Sequence, residues 1–595
     1  PVPKRPGSYA ERGLGNQASA SCKPAFSYGW DWCLRFVSLG IIDEAYVEYV
    51  PISRIDNLKV SYRLFNELKK AKVTFECETN AEEIKYTLFD CNGDLVLSDT
   101  VVADEKCHTF EVENPELWWP HNHGGQPIYT LEVSSLKNGI ITDTKIRKIG
   151  FRRVKLVTNE GVWGRDWVAA VRPTEAPMTL EINGKKIFVK GSNWVPPEMC
   201  RVQVKETAVK ELLTLLKEAN MNALRMWGGG YIHPDFFYDI CDELGILVWQ
   251  EFPLACSCYS DDDEYLKILK QESTAIIENL RVHPSIMLWS GGNELFNDWS
   301  RMSLQSKALR LLETQTYLLD EDVPYIYTSP QYGVVHGPYD MIDIHGVEGL
   351  TTIVKNEGTA FTEFACGGPS QWEYLESFMS KEAMEKPFVD NMWVKRHAFI
   401  KEFEKERWLD IKGIKQLSGC SDDPKEIVAV GNEIQCLMYQ CMFESVRRKW
   451  PYTSMCMNWC YNEPWPTAAG NGLVNYPAVK RPCYYAIQTA LRDRKLSLEF
   501  PKVSWKPDET MECKAWLLND SKEDIENIKA EVYLLFDGKE EKIAECEFTK
   551  TNAYTNSMGV EFTVKVPNVK CGRFTLIISS EKDKSLNEKY ELFIA

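Results

Sequence analysis

The stretch Ile286-Met-Leu-Trp-Ser-Gly-Gly-Asn-Glu294 places an amide and a carboxylate directly after an apolar run. A short apolar run bounded by small residues is typical of a strand that is buried on both faces. A carboxylate at the end of such a strand is costly unless it has a partner or a function. The stretch therefore predicts a parallel strand with a functional glutamate at its carboxyl end.

Short apolar runs of this kind recur along the middle of the chain, and segments with helical periodicity separate several of them. Alternating strands and helices predict a parallel α/β fold, and eight strands over roughly 300 residues predict a central (β/α)₈ TIM barrel. A long and mostly helical segment, 372–449, is expected between the seventh and eighth strands. The eight predicted strands are 187–194, 222–229, 247–254, 285–294, 324–330, 341–346, 360–365 and 454–462.

The flanks of this region have a different periodicity. Strand-like runs alternate there with turn signals such as Asn92-Gly-Asp94, a pattern that predicts antiparallel β-sandwiches. The chain of 595 residues is therefore predicted to be multidomain. We expect an immunoglobulin-like β-sandwich at 51–152, the barrel at 153–495 and a second sandwich at 496–595.

The composition excludes several classes of partner. The net charge of −17 opposes binding to nucleic acid phosphates and anionic membrane surfaces, and no apolar run reaches the ~18 residues of a membrane-spanning helix. Neither a CxxC nor an HExxH motif occurs, and no Lys-Ser/Thr follows Gly228-Gly-Gly230 to make a phosphate loop. We therefore expect no nucleic acid, no membrane, no metal and no organic cofactor.

The numbers of cysteine and tryptophan residues give two further indications. Nineteen scattered cysteines predict free buried thiols, and hence a cytoplasmic location (a reducing compartment) or an anaerobic source. Nineteen tryptophans are also many, and several lie beside Gly, Asn, Asp or Glu. Indole faces stack on the C–H faces of sugars, although core packing explains most tryptophans in most proteins.

Polar and aromatic residues collect at the predicted strand ends, where a barrel places its chemistry. Glu294 ends the fourth predicted strand, and Glu363 lies within the seventh. Two carboxylates that face each other across a barrel mouth suit cleavage of a glycosidic bond, one as acid and base and the other as nucleophile. A structural ion pair with Arg225 is the alternative for one of the two, but it does not account for both.

Several motifs resemble glycoside hydrolase family 2, and within it the β-mannosidases. Ser290-Gly-Gly-Asn-Glu294 and Thr362-Glu-Phe364 are similar to the fourth-strand and seventh-strand motifs of the retaining (β/α)₈ clan. The more specific resemblances are Tyr28-Gly-Trp-Asp-Trp32, Pro115-Glu-Leu-Trp-Trp-Pro-His-Asn-His-Gly-Gly-Gln-Pro-Ile-Tyr129, Ile149-Gly-Phe-Arg152, Lys190-Gly-Ser-Asn-Trp194 and Leu224-Arg-Met-Trp-Gly-Gly-Gly230. By this resemblance, residues 1–50 are the C-terminal part of a jelly-roll sugar-binding domain.

The resemblance implies a role for each residue of the site. Glu294 would be the acid/base and Glu363 the nucleophile, which Arg225 would keep ionised. Asn293 would bond the 2-hydroxyl of the sugar. The expected substrate-binding residues, several of which have packing or capping as an alternative role, are Trp30, Asp31, Trp194, Arg225, Trp227, Asn293, His345 and Trp465.

Three departures from the family pattern bear on sugar preference. Gly291 and Gly292 precede the Asn-Glu pair where the family carries more Asn and Glu. The sixth strand, expected to end in His-Tyr, is predicted to end at His345-Gly346, so that the role of the tyrosine passes to His345 or lapses. Phe364-Ala-Cys-Gly-Gly368 replaces the usual Gly-Phe-Gln-Ser.

The resemblance implies a retaining exo-acting glycosidase that removes terminal β-D-mannose from β-linked mannosyl oligosaccharides, with no cofactor and with a homodimer left open. The alternatives are an exo-β-glucosaminidase, with Glu251 or Glu463 holding the ammonium group, a β-galactosidase or β-glucuronidase, and a catalytically silent sugar-binding protein. Glu251, after the third strand, is expected to support the site rather than act as the nucleophile.

Overall fold

The computed structural model describes residues 23–30, 32–41, 45–162, 177–396 and 408–595. The predicted jelly-roll remnant at 1–50 lies mostly outside these residues. Within its described part, Ala25–Tyr28 forms one turn of 3-10 helix whose residues are all buried. Phe26 N donates to Gly229 O, so this turn lies against the loop that follows the second barrel strand.

The first sandwich follows from strict alternation of buried and exposed side chains. Its inward-facing residues, such as Val73 and Leu131, are fully buried between the two sheets. One sheet has the order β1-β2-β5 and the other β4-β3-β6-β7. The strands are β1 (Ile55–Phe65), β2 (Lys70–Thr79), β3 (Glu83–Phe89), β4 (Leu95–Val102), β5 (Cys107–Glu113), β6 (Tyr129–Lys137) and β7 (Ile140–Ile149).

A small antiparallel sheet leads from this sandwich into the barrel. It consists of β8 (Val154–Val157), β9 (Thr179–Ile182) and β10 (Lys185–Ile187). Asn159 ties the sheet to the barrel through bonds to Thr359 O and Ser454 Oγ.

Eight parallel strands form the barrel sheet, in the order β15-β14-β13-β12-β11-β19-β17-β16. All but the two edge strands are buried along their whole length, which is the reason that they read as apolar runs. The barrel strands are β11 (Val189–Trp194), β12 (Ala223–Met226), β13 (Leu247–Glu251), β14 (Ile286–Ser290), β15 (Tyr325–Ile326), β16 (Val334–His336), β17 (Ala360–Glu363) and β19 (Met455–Asn458). The prediction of a central TIM barrel between β-sandwiches is confirmed.

Helices cover the outside of the barrel. The predicted helical insertion between the seventh and eighth strands is present, and its last helix, α10, supplies a long buried face. The helices are α1 (Glu206–Glu218), α2 (Asp235–Leu244), α3 (Asp263–Leu280), α4 (Lys307–Leu319), α5 (Gly349–Lys355), α6 (Trp372–Phe378), α7 (Lys381–Glu385), α8 (Asn391–Arg396), α9 (Ile411–Ser418), α10 (Pro424–Arg448) and α11 (Pro482–Ala490). None of these helices combines the length and the apolar character needed to cross a bilayer.

The sixth barrel strand is not where the sequence predicted it. It is β16, and the predicted strand 341–346 is a loop with an exposed His345. The apolar character of that loop has another cause, because Met341 is fully buried as a packing residue without belonging to a strand. The true strand has only three residues, which is too short for its periodicity to be recognised.

The last hundred residues form the second sandwich, with sheets β23-β25-β28 and β24-β30-β29-β26-β27. Its strands are β23 (Arg494–Glu499), β24 (Ser504–Trp505), β25 (Thr510–Asn519), β26 (Ile525–Phe536), β27 (Lys539–Thr551), β28 (Thr555–Lys565), β29 (Gly572–Ser579) and β30 (Glu588–Ile594). Two-residue strands β18 (Gly368–Pro369), β20 (Ala469–Gly470), β21 (Val474–Asn475) and β22 (Val479–Lys480) lie between α5 and α11.

Candidate active site

Glu294 and Glu363 come together at the carboxyl end of the barrel strands. One carboxylate oxygen of each and a ring nitrogen of His336 lie within 4.8 Å of one another. The side chain of Glu294 is 16% exposed, whereas that of Glu363 is only 4% exposed. Retaining glycosidases place their two carboxyl groups about 5 Å apart, so this arrangement can perform a double displacement.

Hydrogen bonds to both carboxylate oxygens hold Glu363 in place. Arg225 Nη1 donates to Oε1 at 2.5 Å, and Tyr339 Oη donates to Oε2 at 2.8 Å. The buried guanidinium also places a positive charge beside Oε1. Both oxygens of Glu363 are therefore held in fixed positions.

Arg225 is completely buried and connects four strand ends. Its Nη1 also donates to Asn193 Oδ1 and its Nη2 to Asn293 Oδ1, each at 2.6 Å. Its Nε and Nη2 donate to Glu251 Oε1 at 3.0 and 2.8 Å. One guanidinium thereby sets the relative positions of residues on β11, β13 and β17 and in the turn after β14.

Glu251 lies beneath this guanidinium. Its Oε2 accepts from Gly228 N at 2.8 Å, and burial raises its pKa to about 7. Both oxygens are therefore used by the protein. This placement agrees with a supporting role for Glu251 rather than with a nucleophile.

A strained turn orients Glu294. Glu294 has φ of 50° and Gly292 has φ of 149°, and a side chain at Gly292 would collide with Leu254 O. The backbone amides of Asn293 and Glu294 donate to Leu254 O and Ser329 O. The departure at Gly292 is thus explained by the close approach of the loop after β13, since only glycine fits there.

His336 occupies the place that was predicted for His345. Its Nδ1 lies 3.1 Å from Glu294 Oε1 and 3.5 Å from Glu363 Oε2, while its Nε2 lies 3.0 Å from Ser329 Oγ. Burial lowers the pKa of His336 to about 3, so the imidazole is neutral. The expectation for His345 was wrong because it rested on the misplaced sixth strand.

Tyr339 was also missed by the sequence argument. The tyrosine expected beside the nucleophile is present, three residues after β16, and burial raises its pKa well above the ordinary value. The spacing in His336-Gly-Pro-Tyr339, after Val334 and Val335, is the signal that could have located both residues.

Aromatic rings form one wall of the site. Trp227 makes edge-to-face contacts with Trp30, Trp32 and Trp459 at centroid distances of 4.8, 5.7 and 5.4 Å. The buried indole nitrogens of Trp32 and Trp227 have no hydrogen-bond partner. A buried N–H group without a partner is costly.

The remaining predicted residues differ in placement. Trp465 is half-buried, and its Nε1 donates to Trp32 O at 3.1 Å while the Arg396 guanidinium lies over its ring. Trp194 is 2% exposed and its indole nitrogen donates to His233, so it packs in the main barrel core rather than with the aromatic wall. Asp31 lies outside the described residues.

Family models match two parts of the chain. Residues 53–152 match the model described as glycosyl hydrolases family 2, and residues 176–329 match the TIM barrel domain of the same family. Both matched parts of the chain are therefore similar to glycosyl hydrolases family 2. The second match includes Arg225, Asn293 and Glu294, three residues that meet in the site described above.

Several relatives that this chain matches are β-mannosidases. That of Bos taurus is 28% identical over 421 residues, 63% of this chain and 45% of the relative. β-Mannosidase B of Aspergillus clavatus is 23% identical over 551 residues, 85% of this chain and 62% of the relative. The chain thus spans about half of the length of these curated relatives.

Solved structures give the same picture of the fold. The crystal structure of a β-D-mannosidase from Dictyoglomus thermophilum matches with a TM-score of 0.80 and 26% identity, over 96% of this chain and 70% of the other. An exo-chitosanase from Amycolatopsis orientalis matches with a TM-score of 0.70 and 18% identity, over 90% of this chain and 63% of the other. The second likeness concerns the fold alone.

Two side-chain clusters in the described part of the chain have a spacing that a cation could use. One is Glu294, His336 and Glu363, the candidate site itself. The other is Asp239, Asp242 and His283, in which His283 Nδ1 lies 2.7 Å from Asp242 Oδ2. In the first cluster, Arg225 already provides a positive charge beside Glu363.

Proposed function

We propose that this chain is a retaining, exo-acting glycoside hydrolase that removes terminal β-D-mannose from oligosaccharides. The observation that carries the proposal is the pair of carboxylates, Glu294 and Glu363, with oxygens within 4.8 Å of one another. Their unequal exposure suits unequal roles. The buried, guanidinium-paired Glu363 is the nucleophile, and the more exposed Glu294 is the acid and base.

In the first step, Glu363 attacks the anomeric carbon while Glu294 gives its proton to the glycosidic oxygen. The C1–O bond breaks, a C1–Oε bond forms, and the aglycone leaves as an alcohol. In the second step, Glu294 removes a proton from water, the water oxygen bonds to C1, and the carboxylate of Glu363 is released. Configuration at C1 is inverted twice and therefore retained.

The surrounding residues suit this sequence of steps. Arg225 and Tyr339 fix the two oxygens of Glu363. The direction from which Glu363 attacks the anomeric carbon then depends only on how the substrate is bound. His336 is neutral and lies between the two carboxylates. A neutral imidazole adds no positive charge there, and a positive charge would favour loss of the proton that Glu294 must deliver.

The choice of mannose rests on the relatives rather than on the pocket. Three of the similar proteins are named as β-mannosidases, namely the bovine, the Aspergillus and the Dictyoglomus proteins. Exo action is proposed because the turn of 3-10 helix and Trp30 close one side of the site against Trp227.

A glucosaminidase is less well supported, since it needs a free carboxylate for the ammonium group. Glu251 is bound by Arg225 and Gly228. Glu463 is buried, accepts from Thr467 Oγ1 at 2.6 Å and lies 3.7 Å from Arg481 Nη1. Neither carboxylate is available to a ligand.

A silent sugar-binding protein would retain the aromatic wall without the catalytic pair. Here the pair is present together with the side chains that hold it. A β-galactosidase or β-glucuronidase shares the same mechanism, and only turnover separates these from a mannosidase.

The decisive experiment is a panel of 4-nitrophenyl β-glycosides (mannoside, glucosaminide, galactoside and glucuronide) assayed with the wild type, E294A, E363A and E251Q. We expect turnover of the mannoside alone and loss of activity in E363A. Azide should restore activity with the two alanine variants and give the β-mannosyl azide with E294A and the α-anomer with E363A. Loss of activity in E251Q but not in E363A would reverse the assignment.

A reducing location is part of the proposal. Sixteen cysteines in the described part of the chain, not counting Cys33 and Cys460, are free thiols, and half of them are buried. Such thiols persist where disulfides do not form. The homodimer stays a prediction, which sedimentation of the purified protein would test.

A further inference from the structure

We propose that the Cys256 thiol is a positioning residue that holds Glu294 at the angle required for proton transfer. The inference rests on the proposed function, in which Glu294 is the acid and base. The thiol donates to Glu294 Oε2 at 3.4 Å and accepts from Asn293 Nδ2 at 3.2 Å. It therefore links the two residues that the reaction needs side by side.

The backbone of Cys256 is anchored to the same pair. Cys256 N donates to Asn293 O at 2.9 Å, and Ala255 forms a parallel β-bridge with Asn293. Cys256 itself has φ of 48°, in the left-handed region that non-glycine residues rarely occupy. The loop after β13 thus adopts a strained conformation that directs its side chain toward Glu294, and such strain is typical of functional positions.

Each oxygen of Glu294 faces a different side chain. Oε1 lies 3.1 Å from the neutral His336, whereas Oε2 faces the thiol. Burial raises the pKa of the Cys256 thiol well above its ordinary value, so the group stays protonated and acts as a donor. The two contacts fix the plane of the carboxyl group.

The choice of sulfur has a chemical reason. An S–H group is a weak donor compared with O–H or N–H. A strong donor would stabilise the carboxylate and make Glu294 a poorer acid catalyst at a given pH. A thiol orients the carboxyl group and leaves its proton affinity nearly unchanged.

Two substitutions separate orientation from packing. In C256S a stronger donor replaces the thiol at nearly the same place, so the basic limb of the pH profile of kcat/KM should move to lower pH by about half a unit or more. In C256A the hydrogen bond that orients the Glu294 carboxyl group is lost. Hydrolysis of the 4-nitrophenyl glycoside, whose leaving group needs more assistance, should fall at least tenfold more than that of the 2,4-dinitrophenyl glycoside.

The control is C258S, in the same loop, where the cysteine is half-buried. We expect its pH profile and leaving-group ratio to match those of the wild type. Equal losses on both substrates in C256A, with an unmoved basic limb in C256S, would mean that Cys256 only packs, and would overturn the inference.

A measurement without substrate keeps this test separate from the proposed function. The titration of Glu294 can be followed by ¹³C NMR of protein labelled at the glutamate carboxyl carbons, with E294Q to assign the signal. We expect a lower midpoint in C256S than in the wild type. An identical midpoint would overturn the inference even if no glycoside were hydrolysed, and a shifted midpoint without any turnover would reject the proposed function instead.

Discussion

Tyr339 Oη donates a hydrogen bond of 2.8 Å to Glu363 Oε2, although Tyr339 lies three residues beyond the end of its strand. Two neighbouring contacts support this placement. Gly337 N donates to Glu363 O, and Ala365 N donates to Pro338 O at 2.7 Å. The loop after β16 is therefore fastened to β17, and the tyrosine is held against the candidate nucleophile.

Removing this hydroxyl should slow the reaction without unfolding the protein. In Y339F the charged Glu363 loses one of its two firm donors, and a hydrogen bond to a charged group contributes about 1.5–3 kcal/mol. We expect kcat/KM for the aryl mannoside to fall roughly ten- to a hundredfold. Circular dichroism should be unchanged. A variant as active as the wild type would show that Arg225 alone is sufficient to hold Glu363.

Trp227 offers a test of the aromatic wall. Its indole nitrogen is buried and lacks a protein partner, so a sugar hydroxyl is its expected acceptor. W227F retains an aromatic face and loses the donor. A neutral hydrogen bond contributes about 0.5–1.5 kcal/mol, so KM should rise roughly two- to tenfold with little change in kcat.

A fall in kcat of W227F with an unchanged KM would instead indicate that the indole acts only in the transition state. W505F is a matched control, because Trp505 Nε1 donates to Lys502 O in the C-terminal sandwich, far along the chain from the barrel strands.

Burial of Glu348 predicts a pH dependence of stability. Its pKa is raised from 4.5 to about 7 by burial, although its carboxylate accepts from Val503 N and Ser504 N. Between these two values the folded protein binds more protons than the unfolded chain. The stabilising contribution of the neutral carboxyl is therefore complete below pH 4.5 and is lost as the pH rises through about 7.

Urea unfolding of E348Q and the wild type between pH 5 and 8 tests this dependence. The wild type should lose more stability across the range than E348Q, by up to about 3 kcal/mol. E382Q, a change at an exposed position of α7, should keep the slope of the wild type. The prediction would be contradicted if the free energy of unfolding changed with pH in the same way for E348Q and the wild type.

A buried charge network joins the barrel to the C-terminal sandwich. Lys495 on β23 is fully buried, contacts Glu444 of α10 and lies 2.8 Å from Glu588 on β30. K495M leaves the Glu444 carboxylate without its nearest cation. Removing one partner of a buried pair costs about 3–5 kcal/mol, so the urea midpoint should fall clearly.

The double variant K495M/E444Q should recover part of that loss, since no unpaired charge remains at that position. K514M is the surface control, because Lys514 and Glu561 form an exposed pair whose contribution is at most about 1 kcal/mol. Equal effects of K495M and K514M would mean that the network does not stabilise the interface.

The sequence was informative wherever burial imposes a pattern. Barrel strands that are covered on both faces must be apolar throughout, so β11, β14 and β17 could be located within a few residues, and with them Glu294 and Glu363. Where a strand is very short, as in β16, no pattern exists to read. The nearby apolar residue Met341 then misled the prediction, and with it the assignment of His345.

By itself, the sequence determined the barrel between two sandwiches, the order of the strands that carry polar ends, and a pair of glutamates suited to glycosidic chemistry. These follow from hydrophobic periodicity and local residue types, which act over a few residues. Only the tertiary structure decided that His336 and Tyr339 face Glu363, that Trp194 packs inside the core, and that Cys256 contacts Glu294. Those contacts join residues far apart in the chain or across tight turns, where neither spacing nor composition records the geometry.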